Sequence, residues 1–137
     1  MTLRAGKPEL IEETNGSLGG RLRRRRRELG LRRSDAARLL GIDPKSLFWW
    51  ERDAREPEAR RYPAIIAYLG EEPWLDPSGL GDRLLAERRR RGLSIKEAAH
   101  LLGVDEVTFW WWESGRRRPR HPRTKNLVDG FFRGAGG

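Results

Sequence analysis

The chain has 137 residues, 36% hydrophobic and 36% charged, which is thin for one deep core and suits two small helical units. Its 29 Lys and Arg against 20 Asp and Glu give a net charge of +9. The expected partners are therefore polyanions: nucleic acid first, an acidic protein or membrane surface second. The absence of cysteine excludes disulfides and thiolate metal sites, and His100 and His121 have no metal-ligand spacing, so no cofactor or metal is expected.

In chain order, residues 1–17 (MTLRAGKPELIEETNGS) lack the apolar run of a signal peptide and read as a disordered tail. No later stretch approaches the length of a membrane span, so the expected location is cytoplasmic, with no membrane partner. From Leu18 the chain repeats itself. The stretch LGGRLRRRRRELGLRRSDAARLLGIDPKSLFWWERDAREP, 18–57, lies without a gap over LGDRLLAERRRRGLSIKEAAHLLGVDEVTFWWWESGRRRP, 80–119. Leu22/Leu84, Gly30/Gly92, Ala37/Ala99, Gly41/Gly103 and Trp50/Trp112 recur in register. Two copies cannot build a long solenoid, so they predict two compact bundles.

Each copy reads as short helices. Arg83 to Arg91 forms a helix that stops at Gly92, a left-handed C-cap. Ser94 and Glu97 form a capping box for IKEAAHLL, which ends at Gly103. Asp105 then caps EVTFWWWE; in the first copy Asp43 is the cap and Pro44 takes the first helical position. A helix, a turn that begins with glycine and a second helix of about two turns make a helix-turn-helix. Residues 60–74 (RRYPAIIAYLGEEPW) predict a helix through Ile65, Ile66 and Leu69 that closes the first bundle at Gly70. Residues 123–137 predict a frayed equivalent carrying Phe131 and Phe132. The expected organisation is a tail at 1–17, domains at 18–70 and 80–133, a linker at 71–79 and a flexible Gly-rich end at 134–137.

The stretch GLSIKEAAHLLGVDEVTFWWWESGRRRP closely resembles the Cro-like (XRE) helix-turn-helix family of phage repressors and bacterial transcription regulators. GLRRSDAARLLGIDPKSLFWWERDAREP is similar to it. The Ala-x-x-Leu-Gly-Val-Asp turn, the Trp-Glu near the end of the third helix and the basic segment before proline carry the resemblance. It implies an all-α protein of two phage-repressor-type bundles in tandem. Its implied function is sequence-specific double-stranded DNA binding, as a transcriptional repressor in a bacterial or phage nucleoid.

The resemblance also assigns side chains. It puts Leu47, Trp50, Phe109 and Trp112 on the core face and leaves Phe48, Trp49, Trp110 and Trp111 outside. It implies ion pairs of Arg26 with Glu51 and of Arg88 with Glu113. Its DNA-contacting positions fall on Arg33, Lys45, Ser46 and Trp49 in the first copy, and on Glu106, Trp111, Arg116, Arg117, Arg118 and Arg120 in the second. At Trp49 and Trp111 family members commonly carry a polar side chain that reaches base edges. Indole has one N–H donor and no acceptor, so it cannot make the bidentate contacts that read guanine or adenine. Where members often carry glutamine, this chain has Arg33 and Ile95. Better base readers in the first copy and a cleaner basic run in the second suggest one continuous DNA footprint.

The alternative is a protein-interaction or antitoxin-like adaptor. It would keep the fold and bind a protein partner, or a second copy as a homodimer, through Phe48, Trp49, Trp110 and Trp111. No nucleophile with an adjacent base, phosphate-cradling glycine loop or paired carboxylates is found, so no enzyme is expected. His100 stands where the first copy has Arg38 and reads as a surface residue.

Overall fold

The computed structural model describes residues 16–134, and among them all regular structure is helical. Residues 1–15 of the expected tail, and 135–137 of the Gly-rich end, lie outside the described residues. The helices are α1 (Leu18–Glu28), α2 (Arg33–Leu40), α3 (Pro44–Glu51), a 3-10 turn (Ala59–Arg61), α4 (Tyr62–Leu69), α5 (Leu80–Arg91), α6 (Ile95–Leu102), α7 (Glu106–Glu113) and α8 (Pro122–Arg133). They fall into two compact units. Among the described residues the first runs to Pro57 and takes in Ala64–Pro73; the second holds Glu58–Pro63 and the residues from Trp74 to Gly134.

The same core is built twice. Leu22, Ala36, Ala37, Leu40, Leu47 and Trp50 are buried in the first unit, and their counterparts Leu84, Ala98, Ala99, Leu102, Phe109 and Trp112 are buried in the second. Paired small residues on the middle helix let the first and third helices close over it, while the larger side chains fill the space between. The wall contributed by the last helix differs: Ile65 and Tyr68 from α4 against Val128 and Phe131 from α8, each pair three residues apart on one helical face.

Local chemistry sets the turns. Gly41 and Gly103 take φ of 73° and 75°, a region open to glycine at little cost. The N–H groups of Ile42 and Val104 then donate at 3.0 Å to the carbonyls of Ala37 and Ala99, which closes each helix in a Schellman-type turn. Asp43 accepts the Ser46 N–H and Asp105 the Thr108 N–H, both at 2.8 Å, so each third helix starts from a carboxylate. These backbone bonds hold both carboxyls below the usual aspartate range. Ser94 and Glu97 cap α6 reciprocally, at 3.0 and 2.8 Å.

The structure departs from expectation at three element boundaries. Ser17, assigned to the tail, is the N-cap of α1: its hydroxyl accepts the Gly20 N–H at 3.0 Å and donates to Asp53 at 2.7 Å. Helix α5 begins at Leu80, not Arg83, with Gly79 as its extended N-cap. The last helix is not frayed. Pro122 opens α8, His121 Nδ1 accepts the Arg123 N–H at 3.1 Å, Val128 and Phe131 anchor it, and the Arg91 guanidinium donates to the Phe131 carbonyl. Burial of Val128 and Phe131 outweighs the weak helix propensity of Gly130, so the helix holds.

Candidate nucleic-acid interface

In helices α3 and α7 the aromatic run divides by angle. Successive residues point about 100° apart, so in TFWWWESG only Phe109 and Trp112, three apart, share the core face. Trp110 keeps 40% of its surface in solvent, and Phe48, Trp49 and Trp111 are half-buried.

The half-buried and exposed rings are covered by arginines. Arg52 lies over Phe48 at 3.7 Å from guanidinium carbon to ring centroid, and Arg55 over Trp49 at 5.8 Å. Arg116 lies over Trp110 at 4.7 Å and Arg117 over Trp111 at 4.0 Å. A reversal of the chain just past each third helix brings them there. Asp53 and Gly115, equivalent positions, are both left-handed, with φ of 55° and 78°. The backbone then folds back so that the Ala54 N–H reaches the Trp49 carbonyl at 3.0 Å and the Arg116 N–H the Trp111 carbonyl at 2.9 Å. Asp53 fits an αL position better than most side chains, and it also accepts the Gly19 N–H at 2.9 Å, tying α1 to the end of α3.

The two ion pairs are bidentate. Arg26 donates to Glu51 at 2.7 and 3.0 Å, and Arg88 to Glu113 at 2.7 and 2.8 Å. A third donation, to the carbonyls of Leu31 and Leu93, fastens the loop after the first helix in each unit. The hydrogen bond and charge of Glu51 hold the Arg26 guanidinium above its ordinary pKa. Arg33 also turns toward this pair: its Nε stands 3.5 Å from the Glu51 carboxylate, and its guanidinium lies 5.3 Å from the Phe48 ring. Ile95, its counterpart, packs on the second core instead.

Of the other residues singled out in the sequence, Ser46 belongs to the cap, its hydroxyl donating to Asp43 at 3.2 Å. Lys45 and Glu106 project from the exposed first turns of α3 and α7. Arg118 and Arg120 are exposed and flank the buried Pro119. With Trp111, Arg116 and Arg117 they line an open cleft of about 660 Å³ that reaches His121 and Thr124 at the start of α8. The structure thus brings Trp111 and the four C-terminal arginines together, and holds Arg33 back at the Arg26–Glu51 pair. Sequence reasoning missed Arg52 and Arg55 as ring partners, and Asp53 as a tie. The alignment of Asp53 with Gly115 was the signal for the reversal that positions them. Among the described residues no group of three or more His, Asp or Glu is placed to hold a metal ion, and no helix is long and apolar enough to cross a membrane.

No curated protein and no solved structure matches the chain. The helix-turn-helix domain family matches it twice, over residues 17–73 and 80–131. Among the described residues these matches take in α1 to α8 apart from the last two residues of α8. The chain therefore belongs to the helix-turn-helix domain family, of which it carries two copies in tandem.

Proposed function

We propose that the protein is a sequence-specific double-stranded DNA-binding transcriptional regulator of the Cro-like (XRE) kind, acting as a repressor in the bacterial or phage cytoplasm in association with the nucleoid. The supporting observation is the recurrence, in each copy, of an exposed third-helix first turn beside a basic segment that doubles back over the same helix. Exposed first-turn residues suit base edges in a major groove, and the arginines suit backbone phosphate. With Arg33 drawn to Glu51, base reading in the first copy rests chiefly on Lys45, which can donate to guanine. In the second copy, exposed Val107 suits a thymine methyl and exposed Glu106 a cytosine amino group. The guanidinium groups over all four outer rings reduce the bare apolar surface that a protein-binding adaptor would use, so DNA is the better-supported partner.

The test is fluorescence anisotropy with a random duplex pool at two salt concentrations, for the full chain and for a fragment lacking 80–137. Tight binding that weakens steeply with salt is expected, with a shallower slope for the fragment, because each phosphate contact contributes about 0.9 to the slope. Indifference of the full chain to any duplex at low salt would transfer the function to a protein partner.

A further inference from the structure

Each outer tryptophan has an arginine over its ring. Trp49 with Arg55 and Trp111 with Arg117 are the same pair in the two copies, each six residues apart across a left-handed turn. Arg117 is fixed from both ends: its N–H donates to the Trp111 carbonyl at 3.2 Å, and its guanidinium lies 4.0 Å from the centroid of that residue's ring. A guanidinium laid on a ring uses its face and leaves its five in-plane N–H donors free at the rim. Arg117 lines the open cleft together with Arg116, Arg118 and Arg120, and this cationic cleft has ample room for a phosphate group. An unsupported arginine loses rotamer freedom on being fixed, and a ring platform supplies part of that ordering in advance.

We infer that Trp111, and more weakly Trp49, is a positioning residue: it holds Arg117, or Arg55, flat at the cleft edge so that the guanidinium meets a nucleic-acid backbone phosphate, while the indole itself contacts no base. This rests on the DNA-binding reading above and assigns a task within it. It also accounts for the three tryptophans in a row. Trp112 fills the core, while Trp111 and Trp110 each carry an arginine of the clamp. The first copy is weaker because Arg55 stands farther from its ring and is followed by Glu56 and Glu58, which repel phosphate.

The experiment is a double-mutant cycle on the full chain, Trp111→Leu against Arg117→Gln, read by affinity for a duplex pool across a salt series, with Trp111→Phe as the conservative variant. Each single substitution should weaken binding about three- to tenfold and lower the salt slope by about one, the loss of one ordered phosphate contact. The double variant should be no worse than either single, Trp111→Phe should keep most of the affinity, and Trp49→Leu should change the slope less. Additive losses, or a Trp111→Leu loss with the salt slope intact, would overturn the positioning role and put the indole on DNA directly. A thermal melt of each variant separates these outcomes from unfolding: if Trp111→Phe loses both its fold and its binding, Trp111 is a core residue and the inference fails. Lack of binding by the wild type at low salt overturns the DNA reading itself, and a failed cycle in a binding protein overturns only the platform.

Discussion

Single residues decide how closely the first and third helices of each unit approach. A Cβ on Gly19 would stand 2.4 Å from the Trp50 carbonyl oxygen, and one on Gly81 2.5 Å from that of Glu113. Both obstacles are backbone, so they can yield only if the helices part. Gly19→Ala and Gly81→Ala should therefore each lower stability in urea unfolding by about 1–3 kcal/mol, and wild-type stability in either would refute the close approach. The ion pairs offer a comparison between copies. Removing one partner of a buried pair costs about 3–5 kcal/mol, and Arg88→Met leaves Glu113 without its bidentate partner. Arg26→Met leaves Glu51 with Arg33 only 3.5 Å away, so its loss should be the smaller of the two. Equal losses would mean that Arg33 does not compensate the Glu51 charge.

Helix ends respond to acid. Backbone and side-chain hydrogen bonds hold Asp35, Asp43, Glu97 and Asp105 below their ordinary pKa values. A carboxyl with a folded-state pKa below its unfolded one stabilises the fold fully above the unfolded value, and loses that contribution as pH falls through the folded value. Melting temperature should accordingly hold steady near neutrality and drop below about pH 4. Asp105→Asn keeps the acceptor but not the charge, so it should flatten the drop; Asp105→Ala should destabilise at neutral pH as well. A melting curve for Asp105→Asn that tracks the wild type through the acid range would show that the cap is not charge-assisted. Gly130 offers the opposite case: it sits inside α8, and a Cβ there meets nothing within 4 Å. Gly130→Ala should raise stability by about 0.5–1 kcal/mol.

At the scale of the whole molecule, the two units do not divide at the loop between the two repeats. Glu58–Pro63 belongs with the second unit although α4, which starts at Tyr62, closes the first core with Ile65 and Tyr68. Tyr62 is buried, Arg89 of α5 lies over its ring at 4.7 Å, and the Trp74 ring is 6.2 Å away. A fragment of residues 58–137 should thus melt at a higher temperature than one of 74–137. Equal melting temperatures would mean that 58–63 adds nothing to the second unit. Charge is spread unevenly over the two copies: the run after α7 is Arg116 to Arg118 with Arg120, while the run after α3 is interrupted by Asp53, Glu56 and Glu58.

The sequence by itself determined the repeat, the all-helical class, the turn glycines and the Asp43 and Asp105 caps. The glycines and caps depend on residues within a few positions of one another, where backbone conformation and local hydrogen bonding leave little choice, and the repeat is read by direct comparison of the two stretches. Helical angle alone showed that three successive tryptophans cannot share one face, and the family resemblance put Phe109 and Trp112, rather than Trp110 and Trp111, toward the core. The sequence could not show that Arg33 turns to Glu51, that Arg52, Arg55, Arg116 and Arg117 cover the outer rings, or that Glu58–Pro63 joins the second unit. Long arginine side chains have many rotamers of similar energy, and the partner that wins is set by which groups the fold brings within reach. Only the tertiary structure brings Arg33 to the Arg26–Glu51 pair and folds the basic segments back over the indoles. For that reason the basic and aromatic residues around the third helices were legible as a list, but which arginine meets which ring or carboxylate was not.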